Sequence, residues 1–190
     1  MTKRGSWLVG MVLGVAACAA PAYADPVLVN GGFETGDFTG WTQTGNTTFN
    51  GVQCPGPGPT VYQGNCSAFF GPIGSVGGIQ QNVTGLVVGG HYAVYFAFLP
   101  DGGNPSSFSA SFGAQSLVNL SNPPASATYQ LYGFHHIAAA TSEVLAFNFR
   151  DDPGFLFLDA VQVAIPEPAT MALLGVGLAG LGFSRRRKTA

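Results

Sequence analysis

The chain has 190 residues, 46% of them hydrophobic and only 8% charged, with a formal net charge of −2. Six of the seven basic residues, Lys3, Arg4, Arg185, Arg186, Arg187 and Lys188, sit near the two ends, leaving Arg150 alone between them against Asp25, Glu34, Asp37, Asp101, Glu143, Asp151, Asp152 and Asp159. A domain with one cation has no means of neutralising a run of phosphates, which argues against nucleic acid and anionic lipid surfaces as partners.

At the N-terminus Lys3 and Arg4 precede an apolar run from Trp7 to Ala17, and Ala22-Tyr23-Ala24 offers small residues at the positions a signal peptidase reads. Residues 1–24 are therefore expected to form a signal peptide, cut after Ala24. Val15-Ala16-Ala17-Cys18 resembles a lipoprotein box and is the alternative cleavage site, with Cys18 lipidated. Residues 25–164 are expected to fold as one domain, long enough to bury a core. Export places Cys54 and Cys66 in an oxidising compartment, where a disulfide closing "CPGPGPTVYQGNC" is expected. Loop-closure entropy makes such a bridge worth about 3 kcal/mol. A pair of metal-binding thiolates is the alternative, although no further Cys and no well-spaced His accompanies them.

Along the domain the pattern is strand and turn. "HYAVYFAFL" (91–99) and "EVLAFNFR" (143–150) are rich in aromatic and branched residues, "SSFSASFG" (106–113) puts Phe108 and Phe112 on one face, and "TYQLYGFHHI" (128–137) reads as a further strand. Turn chemistry separates them at "VVGG" (87–90), "PDGGNP" (100–105), "SNPP" (121–124) and "DDPG" (151–154), while "TQTGNTT" (42–48) reads as a loop. No segment of the domain has a convincing helical period. The expected class is all-β, a β-sandwich with jelly-roll topology, flanked by an N-terminal signal helix and a short hydrophobic C-terminal helix.

Three segments carry a resemblance. "VLVNGGFETGDFTGWTQTG" (27–45), "IQQNVTGLVVGGHYAVYFAF" (79–98) and "DPGFLFLDAVQV" (152–163) resemble, in that order, the opening, central strands and last strand of carbohydrate-binding-type, galactose-binding-like jelly rolls. The resemblance implies a structural calcium held by Glu34 and Asp159, with backbone carbonyls completing a hard oxygen shell; Asn30 is a candidate to contribute a carbonyl. The alternative is that Glu34 and Asp159 only make hydrogen bonds tying the terminal strands together. It also implies a polysaccharide ligand, which flat aromatic faces and planar polar side chains would hold. Trp41, Tyr62, Tyr92, Tyr95, Tyr129 and Tyr132 are the available faces. Trp41 and Tyr62, in turn-rich segments, are the first candidates, with core packing as the competing role for Trp41.

The chain closes on "IPEPATMALLGVGLAGLGFSRRRKTA" (165–190). Pro166-Glu167-Pro168, then fifteen mostly apolar residues from Ala169 to Phe183, then Arg185, Arg186, Arg187 and Lys188, resemble the PEP-CTERM sorting signal of Gram-negative bacteria. That family is also known as an ice-binding protein C-terminal domain. Fifteen residues make roughly 22 Å of helix against a bilayer core of about 30 Å, a poor permanent anchor with a basic stop signal behind it. The resemblance implies an exosortase-type membrane transpeptidase that cuts near Pro-Glu-Pro, so that transient inner-membrane insertion is followed by delivery to the cell surface or extracellular matrix. A mismatched helix that stays in the membrane is the alternative. Gly175 to Gly180 spell G-x-G-x-x-G, but no βαβ unit and no acidic residue twenty positions on accompany them.

Catalytic chemistry is not expected. His135 and His136 are adjacent in a strand and point to opposite faces, His91 opens another strand, and Ser75 lacks the first glycine of a nucleophile elbow. Asp151 and Asp152 read as a solvated turn and Glu143 has no partner visible in the sequence. These three acids define the enzymatic alternative, a small glycan hydrolase. The other alternative is a structural envelope or exopolysaccharide-matrix protein with no discrete ligand. Ice binding is disfavoured, because no Thr-x-Thr ladder recurs.

Overall fold

A computed structural model describes residues 28–165. The signal segment with Ala22 and Ala24, and the tail from Pro166 to Lys188, lie outside the described residues. Within them no helix is long and apolar enough to cross a membrane.

Ten strands follow one another: β1 Thr42–Gly45, β2 Asn50–Gln53, β3 Ser67–Phe70, β4 Gly77–Thr84, β5 His91–Leu99, β6 Ser106–Phe112, β7 Gln115–Ser121, β8 Gln130–Ile137, β9 Ser142–Asp151 and β10 Leu156–Ala164. They pair antiparallel in two five-stranded sheets, ordered β1-β4-β9-β6-β7 and β2-β3-β10-β5-β8. From β3 onward the chain crosses between the sheets at every connection except the β6–β7 hairpin, so the β-sandwich is the jelly-roll type expected. One local expectation fails. "TQTG" is an edge strand and not a loop, pairing with Gly77 to Gln80 of β4. Its residues bury nothing, so no alternation marks it in the sequence.

The core follows from period-two alternation. β9 turns Leu145, Phe147 and Phe149 inward, β6 turns Phe108, Ala110 and Phe112, and β5 turns Tyr92, Val94, Phe96 and Phe98. Rings interleave across the sandwich, with centroids 3.8 Å apart for Phe70 and Phe149 and 3.9 Å for Phe98 and Phe108. On β10 the register slips between Asp159 and Gln162, where Ala160 takes a left-handed φ of 50°. This β-bulge resets the alternation, so that Leu158 and Val161 both face the core while Asp159 leaves it on the outer side. Phe108 touches rings from both sheets. Phe108→Ala is expected to lower unfolding free energy by about 3–5 kcal/mol, read from the urea midpoint at unchanged slope.

Candidate functional site

The outer face of the β2-β3-β10-β5-β8 sheet is where a site forms. Cross-strand register sets Tyr95 beside Gly133 and Gln162, and Ala97 beside Leu131 and Asp159, so these side chains share one face. The segment from Cys54 to Cys66 folds back over that face and adds Tyr62 and Gln63. Together Tyr62, Gln63, Tyr95, Leu131 and Gln162 line a cleft of about 210 Å³. Tyr62 and Tyr95 are 45% and 47% exposed, large apolar faces left open to solvent with two amide side chains beside them. Gly133 matters here, because a Cβ there would lie 3.0 Å from the Tyr95 ring. Tyr129 backs Tyr62 at a centroid distance of 5.7 Å and donates its hydroxyl to the Thr60 carbonyl at 2.8 Å. Burial pushes the Tyr129 phenol above its ordinary range.

Three devices hold the loop that carries Tyr62. The first is the Cys54–Cys66 disulfide, which forms as expected. The second is Asp159, which is fully buried; its Oδ2 accepts the N–H groups of Tyr62 at 2.8 Å and Gln63 at 3.0 Å, and its Oδ1 accepts that of Ala160 at 2.6 Å. The third is Glu34, whose Oε1 accepts the N–H groups of Asn65 and Cys66, both at 3.0 Å. Gly64 fits under Glu34 only without a side chain, at a φ of 77° with a Cβ position 2.3 Å from Glu34 Oε1. Burial raises the Asp159 carboxyl above the usual range; the N–H groups of Gln63, Ala160 and Tyr62 oppose this and the Glu34 charge adds to it. The hydrogen-bonding alternative for this acidic pair is thus present in altered form. The two carboxylates tie a loop to the terminal segments, beside a second hollow of about 350 Å³ lined by Gly31, Gly32, Glu34, Gln63, Gly64 and residues 160–162.

Other candidates fall elsewhere. Trp41 is corrected: it is 7% exposed, its ring lies 5.9 Å from Phe33, and its indole N–H is donated to the Asn30 carbonyl at 3.1 Å. It presents no face to a ligand. The Asn30 carbonyl also accepts the Phe33 N–H at 3.2 Å. Tyr92 is in the core with its hydroxyl accepting the Val87 N–H, and Tyr132 is half-buried against Phe96 at 5.2 Å.

The fold separates Glu143 from the other two acids of the hydrolase alternative, Asp151 and Asp152. His135 is exposed and His136 buried, opposite faces as expected. Glu143 does have a partner: its Oε2 pairs with His136 Nε2, while its Oε1 accepts the Ala139 and Ala140 N–H groups at 2.7 and 3.1 Å. Gln115 donates its amide to the His135 carbonyl at 3.0 Å, which turns its Oε1 to His136 Nδ1 at 2.8 Å. Asp151 is corrected as well, because it is fully buried and not in a solvated turn. Burial pushes its carboxyl up to about 7, with Asp101 and then Asp152 adding to the rise. Asp152 takes the Arg150 guanidinium at 2.5 and 2.9 Å, which holds its carboxyl below the usual range. Glu143 and Asp151 stand at opposite ends of β9, eight residues and roughly 27 Å apart along an extended strand. A glycosidase pair needs about 5–9.5 Å, so these residues do not form one.

Replacing the buried carboxylate with its neutral amide tests the loop anchor. Asp159→Asn is expected to cost roughly 2–4 kcal/mol, since it weakens three hydrogen bonds to a charged acceptor, and chemical denaturation of the oxidised protein measures it.

No curated protein matches the chain. The model of the PEP-CTERM protein-sorting motif matches residues 164–188. Among solved structures the chain is similar to TmCBM61, determined in complex with β-1,4-galactotriose, at 19% identity and a TM-score of 0.62 over 77% of this chain and 100% of that one. It is similar to the C-terminal family 22 carbohydrate-binding module of Clostridium thermocellum Xyn10B at 16% identity and a TM-score of 0.52, covering 74% and 98%. The Stig cyclase Fisc from Fischerella sp. TAU is similar at 14% identity and a TM-score of 0.52, covering 74% and 96%. The fold thus serves both binding modules and enzymes. The motif implies export to the cell envelope or surface of a Gram-negative bacterium with an exosortase as partner. The chain carries a PEP-CTERM protein-sorting motif behind a β-sandwich with the fold of carbohydrate-binding modules.

Proposed function

We propose that this protein is an exported, non-catalytic glycan-binding module. One observation carries the reading: two open tyrosine rings, Tyr62 and Tyr95, flank the amides of Gln63 and Gln162 in a single cleft, where β5 and β10 supply Tyr95 and Gln162 and a loop held by a disulfide and two carboxylates supplies Tyr62 and Gln63. Aromatic faces stack on the apolar faces of sugar rings and planar amides bond their hydroxyls. Because the rings are ordered before binding, little conformational entropy is lost on contact. Polysaccharide is the ligand class, and Tyr62 is the one of the two first candidates from the sequence that lines the cleft.

Calcium fits beside the cleft. Glu34 and Asp159 anchor the same loop, burial and then the Glu34 charge raise the Asp159 carboxyl, and no cationic side chain of the described residues bonds to either. Among the described residues no three His, Cys, Asp or Glu side chains gather in one place, so a shell here would draw its remaining oxygens from backbone carbonyls and water, as calcium accepts. Such an ion would screen the two carboxylates from each other and stiffen the Tyr62 loop.

Sorting proceeds through the tail. An exosortase-type transpeptidase cuts near Pro166-Glu167-Pro168 while Arg185, Arg186, Arg187 and Lys188 keep the end on the cytoplasmic side. The domain is then passed from transient insertion in the inner membrane to the cell surface or exopolysaccharide matrix.

A glycan panel that includes β-1,4-galactan, probed with the oxidised protein in calcium and again in chelator, tests the binding reading. One glycan class is expected to bind, with affinity falling about tenfold in Tyr62→Ala and in Tyr95→Ala, near 1.4 kcal/mol each, and falling again on chelation. Silence across the panel from folded protein would favour the structural-matrix role.

A further inference from the structure

Where β9 ends, three connections meet: residues 71–76, 100–105 and 152–155. They are stitched by backbone and carboxylate bonds. Asp151 N–H is donated to the Pro72 carbonyl at 3.1 Å, Asp152 N–H to the Pro105 carbonyl at 3.0 Å, Gly74 N–H to Asp152 Oδ1 at 2.7 Å, and Phe155 N–H to Asp101 Oδ2 at 2.9 Å. Asp101 Oδ1 takes the Gly103 N–H at 2.8 Å.

Inside this ring lies an imbalance. Asp151 occupies the last inward position of β9, fully buried, and neither carboxylate oxygen has a hydrogen-bond partner. Ser106, its cross-strand neighbour, points the same way, and its buried Oγ is also without a partner. Three of the four such side-chain atoms among the described residues therefore fall at one spot. Glycines let the carboxylates converge on it. A Cβ at Gly154 would stand 1.9 Å from Asp101 Oδ2 and 2.9 Å from Asp151 Oδ2, and a Cβ at Gly103 would stand 1.8 Å from Asp151 Oδ1. Buried charge of this kind is costly unless paired. Arg150, the only Lys or Arg of the described residues, is bound to Asp152, while His91, His135 and His136 line a different hollow with Glu143.

We propose that Asp151, Asp101 and Ser106 Oγ bind a divalent cation of the calcium type, which clasps the three connections. The three side chains offer only oxygen donors, which selects a hard ion, and irregular loops with water and carbonyl oxygens suit the flexible shell of calcium better than the strict octahedron of magnesium. One carboxylate is exposed at the rim and one is buried, so the ion has a path from solvent. The site uses different residues from Glu34 and Asp159, and neither site depends on the other.

The test counts calcium on the full chain, stripped by chelator and titrated with calcium alone by calorimetry. Wild type is expected to bind one equivalent more than Asp101→Asn, and a Glu34→Gln, Asp159→Asn double variant is expected to keep that equivalent. Asp101 is exposed, so its variant tests the site even where Asp151→Asn does not fold. Equal stoichiometry in wild type and Asp101→Asn overturns the proposal. So does an Asp151→Asn protein whose Tm rises equally in calcium and in chelator, the mark of two carboxyls sharing a proton.

Discussion

Four backbone N–H groups, those of Tyr62, Gln63, Asn65 and Cys66, end on two carboxylates that belong to opposite ends of the domain. That convergence is what the candidate cleft depends on. A thirteen-residue segment with prolines and glycines has little apolar surface with which to fix itself, and conformational entropy would keep it open. The disulfide shortens the list of open states, and Asp159 and Glu34 choose among those that remain. The bulge at Ala160 is the precondition, because it leaves Asp159 outside the core while Val161 and Val163 stay within it.

The same sandwich handles polar groups at both ends of β9 by contrasting means. Glu143 and Asp151 each stand on the inward face, where Leu145, Phe147 and Phe149 fill the positions between them. At one end Glu143 meets an imidazole and two backbone N–H groups, so both of its oxygens have partners within the chain. At the other end Asp151 meets another carboxylate and a serine. A core this rich in Phe gains most of its stability from area and close packing, so it tolerates a polar residue only at the rim of the sandwich.

Much of the fold was legible because turn chemistry and alternation agreed. "VVGG" and "PDGGNP" fall between strands, "SNPP" and "DDPG" each begin on the last residue of a strand and turn the chain after it, and Phe108 and Phe112 share the buried face that their spacing requires. Tyr62 was legible as a residue held outside the core by a cystine loop. For Trp41 the core-packing role holds and the ligand role fails, since its turn-rich flanks hide a ring packed against Phe33. Asp151 misled for a related reason: "DDPG" is a good turn, yet counting by twos from Leu145 carries the inward face to Asp151 before that turn begins. No local pattern predicts that His136 and Glu143 meet, because they lie on strands of different sheets. Tyr95 stood among six aromatic candidates, and only its cross-strand neighbour Gly133 marks it as open.

Residue-resolved amide hydrogen exchange on the oxidised protein tests the anchored loop most directly. The account predicts that Tyr62, Gln63, Asn65 and Cys66, although in a surface loop, exchange as slowly as the amides of β5 and β10, since their N–H groups are held by carboxylates. Exchange of these four at the rate of an unprotected loop would contradict it, and with it the claim that the cleft is ordered before any ligand arrives.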